Sequence, residues 1–141
     1  MAKINLEDQL CFPLYAASRL MTRKYQPMLE KLGITYPQYL VMMVLWGENR
    51  QTVTAIGEKL FLNSNTLTPL LKRLQQLDLV SRERNPEDER QVLISLTDKG
   101  NKLQDDAFCL LEPLASAADN KEAAELRLTL HNLIRLLEDT E

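Results

Sequence analysis

The sequence predicts a mainly α fold with one small β-hairpin, and two features of its 141 residues carry that expectation. Apolar residues recur at three- and four-residue steps over most of the chain, the spacing of amphipathic helices. The period changes to two only in LVSRER (79–84) and RQVLISL (90–96), which flank the polar, proline-containing turn NPEDE. The length suits a single domain with a real core.

The first helix is expected from Leu6 to Leu32, with Leu10, Leu14, Ala17 and Met21 along one face. Pro13 lacks an N–H, so the helix can begin there instead. Pro27 should end or kink it near Tyr25, and Gly33 is its expected C-cap. ITYPQYLVMMVLWGE opens a second helix at Pro37, entered through Thr35 or Tyr36. Its Tyr39–Trp46 stretch is apolar almost all round, which makes it central.

Two shorter helices follow, about Thr54–Leu60 and Thr66–Leu77, joined by FLNSN. The second turns Leu67, Leu70, Leu71, Leu74 and Leu77 to one side and Asn65, Thr66, Thr68, Lys72, Arg73 and Gln76 to the other. Pro69 falls at its third or fourth position, near the edge of what a first turn tolerates. After the hairpin, Thr97 and Asp98 read as N-cap and first-turn acid of a helix running to about Pro113. The tail is amphipathic, with Leu126, Leu130, Leu133 and Leu137 in one stripe. No internal repeat and no low-complexity linker interrupts this order.

Composition narrows the function. No apolar run reaches the roughly 18 residues that a membrane span needs. MAKINLEDQL places acids where a signal peptide would have an apolar core, so a cytoplasmic location is expected. Cys11 and Cys109 are far apart and suggest no disulfide framework. Net charge is −3, but its distribution is uneven. Residues 1–97 hold 12 Lys/Arg against 10 Asp/Glu, and residues 98–141 hold 5 against 10. Acidity concentrated in the tail leaves room for a DNA-binding face in the first two thirds.

Helix, short turn, helix with a polar face, then hairpin is the order of a winged helix-turn-helix. Ser64, Asn65, Thr66 and Thr68 suit phosphate and base-edge contacts in the major groove, and Lys72 and Arg73 suit phosphates. On the hairpin, Arg84 and Arg90 are the wing cations. Arg90 is the candidate for minor-groove insertion, and Asp88 is expected to pair with a nearby arginine. The same pattern also fits a helix-turn-helix look-alike with capping threonines and a charged, solvated strand edge. No metal-ligand cluster, P-loop or dinucleotide fingerprint is present, so neither metal nor cofactor is expected. The single histidine, His131, falls on the last helix, at a surface or interface rather than as a catalytic base. Little in the chain therefore supports an enzyme such as a thiol peroxidase. Cys11, in QLCFPLY, reads in isolation as a packing cysteine, since activated thiols are the minority.

LCFPLYAASRLMTRKYQPMLEKLGITYPQYLVMMVLW, TLTPLLKRL and PEDERQVLISLTDKG together resemble the MarR family of bacterial repressors. Within it they resemble the OhrR branch, which senses organic hydroperoxides. The likeness runs from about Leu6 to Gly100 and fades beyond. It implies one domain over residues 1–141: an obligate homodimer intertwined through 1–35 and 98–141, with 36–97 as the DNA-binding lobe. It further implies an inverted-repeat DNA operator, with an organic hydroperoxide as the signal. Cys11 matches the branch's peroxide-reactive cysteine. Tyr25 and Tyr36 match tyrosines that reach it from the other subunit, and Tyr15 matches a nearby position.

Helix geometry agrees: Tyr25 lies 14 residues from Cys11, about 21 Å along a continuous helix. Tyrosine hydroxyls donating to the sulfur would favour the nucleophilic thiolate. Cys109 matches no fixed family position; it either resolves an oxidised Cys11 across the dimer or simply packs. Asn63 and Asn65 replace the family's usual Asp and Gly, which is expected to alter entry into the recognition helix. The alternative signal is a small aromatic ligand, with Cys11 incidental.

Overall fold

The computed structural model describes residues 2–140. After a single 3₁₀ turn at Leu6–Asp8, the elements are α1 (Cys11–Leu32), α2 (Tyr36–Gly47), β1 (Gln51–Thr52), α3 (Val53–Leu60) and α4 (Ser64–Gln76). They continue as β2 (Val80–Asn85), β3 (Asp88–Leu96), α5 (Asp98–Ala117) and α6 (Lys121–Asp139). The predicted class holds: a mainly helical winged helix-turn-helix.

Local chemistry sets most boundaries. Gly33 adopts φ 77°, and the Gly33 and Ile34 amides donate to the Glu30 and Leu29 carbonyls, each at 3.1 Å. This left-handed cap closes α1 as expected. Thr35 and Gln38 form a reciprocal capping box at the start of α2, with distances of 3.4 and 2.9 Å. Asn63, Thr97 and Asn120 cap α4, α5 and α6 through their side-chain oxygens.

Four expectations need correction. The first helix begins at Cys11, neither at Leu6 nor at Pro13, because extended backbone at Gln9 separates it from the 3₁₀ turn. Pro27 does not end or kink-terminate α1, which runs on to Leu32. Pro113 does not end α5, which continues to Ala117. In both cases the proline and the residue four positions before it (Arg23, Cys109) are exposed, so water can take up the unpaired carbonyl. The third is Pro69: because Asn63 caps α4, the helix starts at Ser64, not Thr66, and places that exposed proline at its sixth position. The fourth is the sheet, which has three strands rather than two.

The sheet order is β1-β3-β2, all antiparallel. The hairpin runs from Val80 opposite Leu96 to Arg84 opposite Val92, with an irregularity at Arg84/Asn85. Gln51 and Thr52 pair with Ile94 and Leu93. The Gln51 amide also donates to the Val44 carbonyl at 3.1 Å, and its oxygen accepts from Lys59 Nζ at 2.8 Å. Buried Gln51 thus ties the end of α2 to α3 and to the sheet.

One core joins these elements: Leu29 and Ile34 beside α1's end, Val41, Met42 and Leu45 of α2, Ile56 of α3, Leu67, Leu71 and Leu74 of α4, and Val80 and Ile94 of the sheet. Burial of that leucine stripe is what holds α4's polar side outward. α6 is different. It buries no residue, and Leu126, Leu128, Leu136 and Leu137 stay exposed, as do Leu10 and Phe12 at the other end of the chain. No described helix is long and apolar enough to cross a membrane.

Candidate nucleic-acid interface and thiol site

The turn between α3 and α4 depends on a glycine. A Cβ at Gly57 would meet the Leu62 carbonyl oxygen at 2.7 Å, so only glycine admits the sharp return of the chain. The Leu62 amide donates back to the Gly57 carbonyl at 2.9 Å, and Phe61 takes a left-handed φ of 57°. Asn63 Oδ1 then accepts from the Thr66 amide at 2.9 Å. Asparagine here performs the capping that an aspartate would, without its charge. Asn65 is not among the residues with positive φ, so its Cβ introduces no backbone strain. The two departures from the family pattern therefore leave the helix entry intact.

Ser64, Asn65, Thr66, Lys72 and Arg73 are all exposed on α4, and Thr68 is half-buried. On the wing, Asp88 accepts from Arg90 Nε at 3.0 Å and from a terminal Arg90 nitrogen at 3.2 Å. Arg90 itself is the nearby arginine. Its bonds hold the Asp88 carboxyl below its ordinary value of 3.8. Arg84 reaches across the hairpin and donates to the Glu89 carbonyl at 2.9 Å. The α4 residues lie on a groove-sized helix and the wing residues on the hairpin that follows it, and both sets are largely exposed.

The thiol region lies elsewhere, along α1. Cys11 is the helix's first residue and is exposed. Tyr15, one turn on, is exposed, and Arg19 sits 5.3 Å from its ring centre. Tyr25 is half-buried and packs against Tyr36 of α2, with ring centres 5.7 Å apart. Because α1 is unbroken from Cys11 to Leu32, Cys11 and Tyr25 of one chain stand about 21 Å apart. An apolar groove of ≈ 520 Å³ runs beside Tyr25 and Tyr36, lined by Leu10, Leu14, Met21, Leu126 and Leu130 among others. Burial, then the neighbouring Tyr25, push the Tyr36 hydroxyl above its ordinary value of 10.0. Cys109 is free and exposed on α5, and His131 is exposed on α6.

The aromatic pair extends into a ladder that the sequence does not reveal. Tyr36 meets Tyr39 at 6.2 Å and Tyr39 meets Trp46 edge-on at 6.1 Å. The Trp46 indole N–H donates to the Gly100 carbonyl at 3.0 Å, across 54 residues. Spacing along α2 places these rings near one face, but the contact with α5 has no local signal.

A family model described as transcriptional regulator SarA/Rot matches residues 23–107. The organic hydroperoxide resistance transcriptional regulator of Bacillus subtilis (strain 168) is 46% identical over 136 residues, covering 95% of this chain and 92% of that protein. The chain belongs to the MarR family of regulators, in its OhrR branch. Solved structures of AbfR, a Staphylococcus epidermidis protein, agree. Reduced AbfR bound to DNA is 43% identical with a TM-score of 0.82, covering 96% of this chain and 94% of that one. Disulfide-formed AbfR is 47% identical with a TM-score of 0.69, covering 92% of each. This MarR-family chain thus has the fold of a relative solved bound to DNA.

Proposed function

We propose that the protein is a redox-controlled repressor whose reduced homodimer binds an inverted-repeat operator and releases it when an organic hydroperoxide oxidises Cys11. One observation carries the thiol assignment. Tyr25 and Tyr36 flank an apolar groove, yet the continuous α1 holds Tyr25 about 21 Å from its own chain's Cys11. A second copy supplies the thiol that its own helix withholds. The uncovered leucines of α6 and the apolar start of α1 favour such a copy, since exposed apolar patches of this kind mark interfaces. In support, one relative is an organic hydroperoxide resistance regulator, and AbfR has been solved reduced, overoxidised and disulfide-linked.

The chemistry is a two-electron transfer. The Cys11 thiolate attacks one peroxide oxygen, the O–O bond breaks, and the departing alkoxide takes a proton to leave as an alcohol. Cys11 becomes a sulfenic acid. A second thiol then condenses with it, forming a disulfide and water. Cys109 of the other subunit is one source of that thiol, and a small-molecule thiol is the other. Tyrosine hydroxyls donating to sulfur favour the thiolate, and the apolar groove favours organic over inorganic peroxides. In the DNA complex, Ser64, Asn65, Thr66 and Thr68 approach bases and phosphates, Lys72, Arg73 and Arg84 face phosphates, and Arg90 enters the minor groove.

The test treats reduced protein with about one equivalent of an organic hydroperoxide and maps the peptides by mass without reduction. A Cys11–Cys109 link between subunits establishes the two-cysteine form. A sulfenic acid or small-thiol adduct on Cys11 alone makes Cys109 a packing residue. An unmodified Cys11 sinks the peroxide assignment and leaves a repressor that answers to another ligand.

A further inference from the structure

The first turn of α5 is fastened to the end of the recognition helix. Lys99 Nζ donates to the Leu77 carbonyl at 3.0 Å, where α4 is capped, and the Thr97 amide donates to the Leu79 carbonyl at 3.1 Å. Gly100 lies so close to Leu79 that an added Cβ would overlap its carbonyl oxygen at 2.0 Å. This joint sets the angle between α4, the wing and α5. At its other end α5 runs beside Tyr25: Leu114 and Ala117 share a cleft with Met21 and Tyr25. A lever helix therefore touches the tyrosine region at one end and the DNA-reading helix at the other.

Trp46 meets that joint. Its ring ends the ladder that begins at Tyr25, and its N–H holds the Gly100 carbonyl. We propose that Trp46 is the positioning residue that couples the oxidation state of the tyrosine–thiol site to the α4–α5 joint, through the packed rings of Tyr25, Tyr36 and Tyr39 and the bond to Gly100. The proposal rests on the reading of Cys11 as the sensor. Rings packed about 6 Å apart leave no slack, so displacing the first must move or unseat the last. When the Tyr25–Tyr36 pair shifts, the indole leaves Gly100 and the joint loses one of its fixed points. Reduced protein, with the bond made, holds α4 in its DNA-reading position. Packed contiguity alone shows a route; a measured coupling makes it a mechanism.

Trp46→Phe keeps an aromatic ring and removes the donor. The probe is a duplex selected from a random pool by the reduced wild-type protein, and Cys11 oxidation is followed by mass in parallel. Expected for the wild type is about a hundredfold loss of affinity on oxidation, a typical coupling. W46F, which lacks the bond in both states, binds more weakly than wild type already when reduced, oxidises at Cys11 equally fast, and loses less than about tenfold on oxidation. Equal release from both proteins overturns the coupling role while leaving the sensor reading intact. A wild-type Cys11 that does not oxidise ends both. Trp46 is the single tryptophan in the chain, so its emission reports the same event without mutation. The emission should move to longer wavelength as the indole meets water on oxidation. An unchanged emission in a fully oxidised wild type overturns the proposal even if W46F fails to fold.

Discussion

Asp88 grips Arg90 with both carboxylate oxygens, at 3.0 and 3.2 Å, while the Arg90 side chain stays 90% exposed. An exposed guanidinium held by its base is oriented for a partner at little stabilisation to the fold itself. Replacing Arg90 with alanine is expected to weaken operator binding and reduce the salt slope by about 1, the signature of one lost phosphate-region contact. Peroxide reactivity at Cys11 should be unaffected. A binding titration at several salt concentrations checks both parts. The Asp88 carboxyl titrates below 3.8, so its pairing is present above that value and lost as pH falls below it. An NMR titration of the Asp88 side chain reads that directly.

Tyr25→Phe and Tyr36→Phe each remove a hydroxyl and leave the ring contact at 5.7 Å in place. A lost hydrogen bond of about 1 kcal/mol predicts roughly fivefold slower oxidation of Cys11 in each variant. Stopped-flow consumption of one equivalent of hydroperoxide measures it. Unchanged rates in both variants would remove these tyrosines from the thiol chemistry.

Tyr36 and Tyr39 are both raised above 10.0, first by burial and then by neighbouring tyrosines. A raised group stabilises the fold fully below its unfolded value and loses that contribution as pH rises through the folded value. Tyrosinate absorbance should therefore show a class of groups ionising later than free tyrosine. Stability in denaturant should fall over the same alkaline range. Tyr36→Phe should shrink the late-ionising class.

Gly57→Ala places a methyl against the Leu62 carbonyl, a backbone atom that cannot swing aside. The expected cost is about 1–3 kcal/mol, together with a misplaced α4 and weaker DNA binding. Thermal melting and the operator titration read the two effects. Leu71→Ala, in a fully buried position of α4, is the contrasting case: about 2–5 kcal/mol lost through a cavity.

Much of this architecture was legible because it is locally encoded. The leucine spacing of α4, the entry to α2 at Thr35, the cap at Gly33 and the two-residue period of the wing each depend on neighbours within a turn or a strand. So was the polar face from Ser64 to Arg73, which is simply what the buried leucines leave outside. The prolines misled. Pro27 and Pro113 break a rule of local geometry, but each lies on an exposed face, where the unmet carbonyl costs little. β1 was invisible because two residues carry no period, and only pairing with Leu93 and Ile94 makes Gln51 and Thr52 a strand.

The sequence by itself determined most of the helices, the wing, and the spacing of fourteen and more residues between Cys11 and the tyrosines Tyr25 and Tyr36. Periodicity, caps and turns act within a few residues. Only the tertiary structure decided that α1 runs unbroken from Cys11 past Tyr25, that glycine is required at Gly57, and that Trp46 meets Gly100 across 54 residues. Those are outcomes of packing between distant segments, where burial and close approach override local preference.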